Sequence, residues 1–162
     1  GAARVEGLGP VPVKELQHLL KGTKVRVLPV FDPGGVTPVD SYEIPERMRR
    51  AVLLRQPTDV FPFGATPSRR LDLDHTDPYR HASGEGGQTR VDNLGPLTRR
   101  AHRAKTHAGW QVTQVVPGCF VWRSPLGLLY LRTEDGLTYP LRTDAARRIG
   151  SSADPPQVAR TA

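Results

Sequence analysis

The chain has 162 residues, 37% hydrophobic and 6% aromatic, with 16 Gly and 16 Pro; that fits one ordinary domain or a small domain with appended segments, and argues against a thick layered core. A formal charge of +7 favours a polyanionic partner, because each phosphate neutralised by Lys or Arg releases condensed counterions. A single cysteine, Cys119, excludes an internal disulfide and a multi-Cys zinc site, and no apolar run or leader suits a membrane.

A cytoplasmic protein without a membrane partner is the expectation, and the Gly-Ala-Ala start reads as the edge of a fragment. Val13, Leu16, Leu19 and Leu20 recur at helical spacing, with Gly22 as the stop. Residues 24–30 alternate polar and apolar and predict a strand, which Pro29 confines to an edge, ended by a turn at 32–35. A second helix is predicted over 45–55, Pro45 in its first turn, where a missing N–H costs nothing. Its Arg stripe suits a phosphate backbone or a solvated face equally.

Residues 56–70 read as loop, and Leu71-Asp72-Leu73-Asp74-His75 as a short strand. Ser83-Gly84-Glu85-Gly86-Gly87 reads as a turn. Asp92 suits the N-cap of a helix over 93–106, Pro96 lying in its first turn and Gly109 ending it. Strands are expected over 111–116, 120–123 and 128–132, the last two joined as a hairpin through Ser124-Pro125-Leu126-Gly127. Cys119 reads as a small buried hydrophobe opening a strand, and Trp110 and Trp122 as core residues. Residues 150–162 have little to bury and are expected to be disordered.

The chemistry-bearing residues fall within about thirty positions: Asp74-His75, Gly86-Gly87-Gln88-Thr89, Asp92-Asn93-Leu94 and His102. Hydrolysis of a phosphodiester with a divalent ion needs ligands for the ion, a base to make the nucleophile from water, and free metal positions for phosphate. Asp74, His75 and His102 supply those types. Neighbours on a strand point to opposite faces, so Asp74 and His75 should divide the work: one holds metal while the other addresses water.

This ordered series resembles the HNH endonucleases, in particular the small actinobacterial type in which the nuclease follows a helical domain of unknown function. The likeness spans residues 42–132. It includes Ser41-Tyr42, Val60-Phe61-Pro62, Asp72-Leu73-Asp74-His75, Gly86-Gly87-Gln88-Thr89, Asp92-Asn93-Leu94-Gly95-Pro96-Leu97, His102-Arg103-Ala104-Lys105, Gly109-Trp110 and Val121-Trp122-Arg123-Ser124-Pro125. The resemblance implies an α+β fold around a ββα-metal core, with an N-terminal helix and strand extension over 1–41, the nuclease over 42–132 ending in a β-hairpin, and a C-terminal extension over 133–149. It implies DNA as substrate, with RNA left open. Asp74 and His102 would hold one divalent ion, Mg or Mn by preference, with Zn, Ni or Co as alternatives. His75 would be the general base, and Asn93 would orient that base or brace the strand–helix turn.

Many relatives also carry a structural zinc, whose ligand positions here are Asp59, Gly64, Thr98 and Ala101. The whole set has changed together, so no structural zinc is expected, and Phe61, Phe63 and Leu71 are candidates to fill its space. Relatives of this type often read His-His where this chain has Ala101-His102.

Among the remaining candidates, Arg99, Arg100, Arg103 and Lys105 surround His102 and would form a track for the phosphate backbone. His107 is a further candidate for metal or phosphate contact. His18 and His81 read as surface residues, and Asp77 as a turn residue before Pro78 or a carboxylate behind the site. Two rival functions stand beside the nuclease: a nucleic-acid-binding module that has lost catalysis, and an interaction domain whose polar motif residues only cap and brace.

Overall fold

A computed structural model describes residues 2–5, 8–27, 35–81 and 86–142, and the chain divides into two units, Gly1–Asp32 and Pro33–Ala162. In the first, strands β1 (Ala2–Val5) and β2 (Gly9–Pro12) form an antiparallel hairpin, followed by helix α1 (Val13–Leu20). The helix matches its apolar spacing, with Gly22 beyond it at φ 77°. No residue of α1 is buried. The strand expected from residue 24 is not formed over 24–27, and residues 28–34 lie outside the described residues. Alternation alone supplies no partner, and among the described residues the sheet of this unit pairs β1 with β2.

The second unit opens with helix α2 (Glu46–Arg55), entered through Pro45 as the sequence predicts. Met48, Ala51 and Val52 turn inward and meet Val91 and Leu94 in one apolar cluster. Its Arg stripe is outward in part, Arg50 pairing with Glu46 at 3.0 Å on the surface.

Next come strand β3 (Asp72–His75), strand β4 (Leu94–Leu97) and helix α3 (Arg99–His107). β3 and β4 are antiparallel, Asp72 opposite Leu97 and His75 opposite Leu94. The helix expected over 93–106 therefore begins later. Residues 91–93 form a single 3-10 turn, and Thr98 rather than Asp92 caps α3, its Oγ1 accepting from Ala101 N at 3.2 Å. Pro96 biases Gly95 toward extended backbone, and all four residues of β4 are buried. Gly95 is required by packing: a Cβ there would lie 2.8 Å from Val60 Cγ2 and 3.1 Å from a Phe120 ring carbon.

A four-stranded antiparallel sheet follows, in the order β5 (Gln111–Val116), β6 (Cys119–Arg123), β7 (Leu129–Arg132) and β8 (Thr138–Leu141). The first three strands were expected. β8 was not, and it joins part of the C-terminal extension to the sheet through pairs from Leu129 with Leu141 to Arg132 with Thr138. Phe120 and Trp122 of β6 enter a second cluster with Val60, Leu97 and Ala101. Phe61 lies against both Trp110 and Trp122, at ring-centroid distances of 4.7 and 5.0 Å. Cys119 is partly buried, and residues 143–162 lie outside the described residues.

The four positions that hold zinc in the resembled family come together through hydrogen bonds. Asp59 Oδ1 accepts from Phe61 N at 2.8 Å, and its Oδ2 accepts from Thr98 N at 3.2 Å. A Cβ on Gly64 would fall 2.7 Å from Asp59 Cβ, so those two positions touch. Arg132, buried on β7, closes the assembly. Its guanidinium donates to Thr58 Oγ1 and Asp59 O at 2.9 Å, to Gly64 O at 2.6 Å, and to Gly136 O. Burial pushes the Arg132 pKa down, while Asp59 and Asp135 oppose that shift. Of the three expected space-fillers, Leu71 is buried and Phe61 packs on the tryptophans, but Phe63 is exposed, at φ 60°.

Replacing Arg132 by Met keeps the stem and strands several buried carbonyls. Arg132→Met is expected to lower unfolding stability by about 3–5 kcal/mol, read as a fall in the denaturant midpoint at unchanged slope; a loss under about 1 kcal/mol would remove Arg132 from this role.

Candidate active site

His75 ends β3 and is buried. Its Nε2 lies 2.7 Å from Thr89 Oγ1, and that hydroxyl donates to Ser41 O. A hydroxyl has one proton, so with Ser41 O receiving it, Thr89 Oγ1 accepts from Nε2–H. The ring is then the Nε2–H tautomer, and Nδ1 carries the lone pair. Burial pushes the His75 pKa below its ordinary value; the Asp74 carboxylate pulls it up and the Lys105 ammonium down. A neutral ring with a free lone pair can accept a proton at neutral pH.

Asp74 faces α3. Its Oδ2 accepts from Lys105 Nζ at 2.7 Å, and its Oδ1 lies 3.4 Å from His102 Nε2. Lys105 Nζ also donates to His75 O. The Asp74 and His75 side chains thus meet different groups, Lys105 and His102 for the carboxylate and Thr89 for the imidazole, while the His75 backbone carbonyl shares Lys105 with Asp74. His102 stands in the first turns of α3, and Lys105 follows it at i+3 on the same face.

The Asn93 side chain braces the loop between β3 and β4. Its Oδ1 accepts from Asp77 N at 2.7 Å, and its Nδ2 donates to Asp77 O at 3.1 Å and Gln88 O at 3.0 Å. These contacts lie on the β3–β4 loop rather than on the strand–helix turn it was expected to brace. The backbone N–H of Asp77 enters the same clamp, in keeping with a turn residue.

Asp74, His75 and His102 line one open pocket of about 630 Å³, with Arg49, Arg99 and Arg103 also on its wall. Arg99 lies 3.8 Å from Asp72 in an exposed pair, which a phosphate would displace at little cost. Arg100 lies elsewhere, on an apolar pocket beside Phe61, Ala104 and Trp110. His107 is exposed at the end of α3 and is not among the residues lining the pocket of His75. Lys105 is not on a surface track; it is a largely buried partner of Asp74.

Three residues at this site escaped the sequence reading. Arg49 belonged to a stripe that suited two explanations. Lys105 was assigned to the surface although its i+3 spacing from His102 puts both on one helix face. Thr89 stood in the quoted motif, but its role depends on Ser41, 48 residues away in sequence.

No group of three or more His, Cys, Asp or Glu that could hold an ion occurs among the described residues. Asp74 Oδ1 and His102 Nε2, 3.4 Å apart, suit two adjacent ligands of one ion, whose bonds of roughly 2.1 Å place such ligands about 3 Å apart. The other Asp74 oxygen is committed to Lys105, so the carboxylate would bind through one oxygen. The pair fits an ion that keeps most of its waters.

Imidazole ¹⁵N spectra at neutral pH are expected to show His75 as the Nε2–H tautomer. Thr89→Val should erase that preference and cost about 1–3 kcal/mol, whereas an Nδ1–H signal in the parent would overturn the arrangement. No protein-family model, curated protein or solved structure matches the chain.

Proposed function

We propose that this chain is an HNH-type endonuclease that hydrolyses DNA phosphodiester bonds with one divalent ion, Mg or Mn by preference, and that β3, β4 and α3 are its ββα-metal unit. The observation that carries the reading is a convergence in one pocket: a base imidazole with a defined tautomer, a carboxylate–imidazole pair spaced for a single ion, and the guanidinium groups of Arg49, Arg99 and Arg103.

Arg49, Arg99 and Arg103 bind and orient the phosphate backbone. His75 Nδ1 takes a proton from water as the water oxygen attacks phosphorus and the bond from phosphorus to the leaving sugar oxygen breaks, that oxygen taking a proton from solvent; Thr89 keeps the ring in the tautomer that can accept the proton of water. Asp74 and His102 would hold the ion, and Lys105 fixes the carboxylate while pinning the end of β3 through His75 O. When bound, the ion would stabilise charge on the scissile phosphate and the leaving oxygen.

A binding module without catalysis is the second reading, favoured by Lys105, whose ammonium already offsets the Asp74 charge at 2.7 Å. A cation beside the carboxylate weakens the pull on a second one. The two readings part on metal-dependent nicking of plasmid DNA by the purified chain.

His75→Ala is expected to lower the cleavage rate by roughly 10²–10⁴-fold while Mn²⁺ affinity by calorimetry stays within a small factor of the parent. Equal loss of metal binding would show that Asp74 and His75 have been assigned the wrong way round. With two protein ligands, phosphate oxygens complete the coordination sphere, so metal and DNA should tighten each other's binding by one common factor. Titrating DNA into His75→Ala protein with and without Mg²⁺ measures that factor. His102→Ala in the same background should abolish it and leave the salt-sensitive binding supplied by the arginines; full coupling in the absence of His102 would refute the two-ligand site.

A further inference from the structure

The chain is poor in aromatic residues, and both tryptophans and two of the four phenylalanines lie in or against the Phe120–Trp122 cluster. Tyr42 and Tyr79 are placed differently. Both lie against the His75 ring, outside both apolar clusters, and His81 lies against the two tyrosines. Tyr42 lies nearly parallel to His75, centroids 5.9 Å apart and planes at 20°. Tyr79 stands edge-on to Tyr42 at 5.8 Å, and His81 lies 5.6 Å from Tyr42. Even so, Tyr42 is 62% exposed, and it forms part of the wall of the pocket that holds Asp74 and His102.

We propose that Tyr42, steadied by Tyr79 and His81, is a stacking platform for an unpaired nucleobase next to the scissile phosphate, so that the preferred substrate has unpaired nucleotides at the cleavage position. The inference rests on the nuclease reading and names the substrate class of that same site. Three features support it. A base within a duplex has both faces covered by its neighbours and offers only its edges, so a flat exposed ring at the site can be used fully only by a base that has left the stack. The platform is also tied to its surroundings by hydrogen bonds. Ser41, the residue before Tyr42, accepts from Thr89 Oγ1, and Tyr79 Oη donates to Asp40 at 3.3 Å.

The third feature is register. One hydroxyl, Thr89 Oγ1, is bonded both to the His75 ring and to the backbone leading into Tyr42. That bond fixes the stacking surface relative to the proton acceptor. A base held on Tyr42 would therefore place its own phosphate relative to His75, while the arginines on the pocket wall engage the backbone without regard to pairing.

The test compares parent, Tyr42→Ala and Tyr42→Phe proteins on an oligonucleotide supplied as a single strand and as a duplex, in DNA and RNA forms. Cleavage is followed with Mn²⁺ and binding with chelator. A 2-aminopurine walked along the strand reports stacking by quenching. The parent is expected to favour the single strand. Tyr42→Ala should lose roughly 5- to 100-fold in single-strand affinity, the range for one base–aromatic stack, together with the quenching at one position. Its duplex affinity should hold, and Tyr42→Phe should behave as the parent. Thermal melting checks that the exposed substitution leaves the fold intact. Equal losses on both substrates, or no loss in Tyr42→Ala, would overturn the platform. If no substrate is cut but Tyr42-dependent single-strand binding persists, the platform stands and the nuclease reading falls. If cleavage occurs without strand preference and Tyr42→Ala is neutral, the reverse holds. The DNA and RNA arms identify which sugar carries the base.

Discussion

The pairing of β3 with the fully buried β4 is the constraint on which the site depends. β4 has only four residues, and they serve both apolar clusters: Leu94 enters the one built on α2, and Leu97 the one built on β6. An odd spacing on a strand sends two side chains to opposite faces, so a short segment can join two clusters that have no residue in common. Its free edge is used as well, since Val60 N donates to Pro96 O at 3.0 Å. Held on both edges, β4 fixes β3, which carries Asp74 and His75, and at Thr98 it releases the chain into α3, which carries His102 and Lys105.

A second anchorage stabilises this arrangement from outside. The Asp59 carboxylate joins the 59–64 loop to the start of α3, and Arg132 joins the same loop to the β7–β8 hairpin. A buried guanidinium loses solvation, and several acceptors in fixed positions offset that loss. The network depends on direction: the Asp59 carboxylate accepts where Thr98 N needs a partner, and Arg132 donates where the Asp59 and Gly64 carbonyls do. Trp122 Nε1 donates to Val60 O at 2.8 Å, extending the scheme into the second apolar cluster.

Local signals made part of this legible in the sequence. Pro45 at a helix start, the alternation through Asp72 and Asp74, and the hairpin after Arg123 each depend on residues close in sequence, and each is present in the fold. β4 was hidden because Asp92 and Pro96 mimic a helix start, while a strand buried on both faces shows no alternation. β8 was hidden because its partner supplies the pattern that Thr138 to Leu141 lack. The site divides on the same line. Asp74, His75 and His102 were named from residue type and order, and they meet at one pocket. Thr89 and Arg132 could not be given their roles, because those roles consist of contacts 48 and 68–74 residues distant. Arg100 and Lys105 were grouped with Arg99 and Arg103 by charge alone, and helix geometry leaves Arg99 and Arg103 on one pocket wall while sending Arg100 to an apolar pocket and Lys105 to Asp74.

Lys105 shows why that difference matters. An ammonium free on a helix surface adds to a diffuse attraction for phosphate, whereas one held at 2.7 Å from Asp74 has its charge largely spent on a single carboxylate. It binds one carboxylate oxygen and the carbonyl of the next residue, so it sets the orientation of Asp74 relative to the backbone that carries His75. The remaining oxygen is left toward His102. Without Lys105, an isolated carboxylate could rotate or bind an ion through both oxygens; with it, one oxygen is committed and the other is presented in a fixed place. The same ammonium helps to hold the His75 imidazole neutral. One side chain thus commits one oxygen of the carboxylate and favours the neutral form of the imidazole, and both effects follow from its position one helical turn beyond His102.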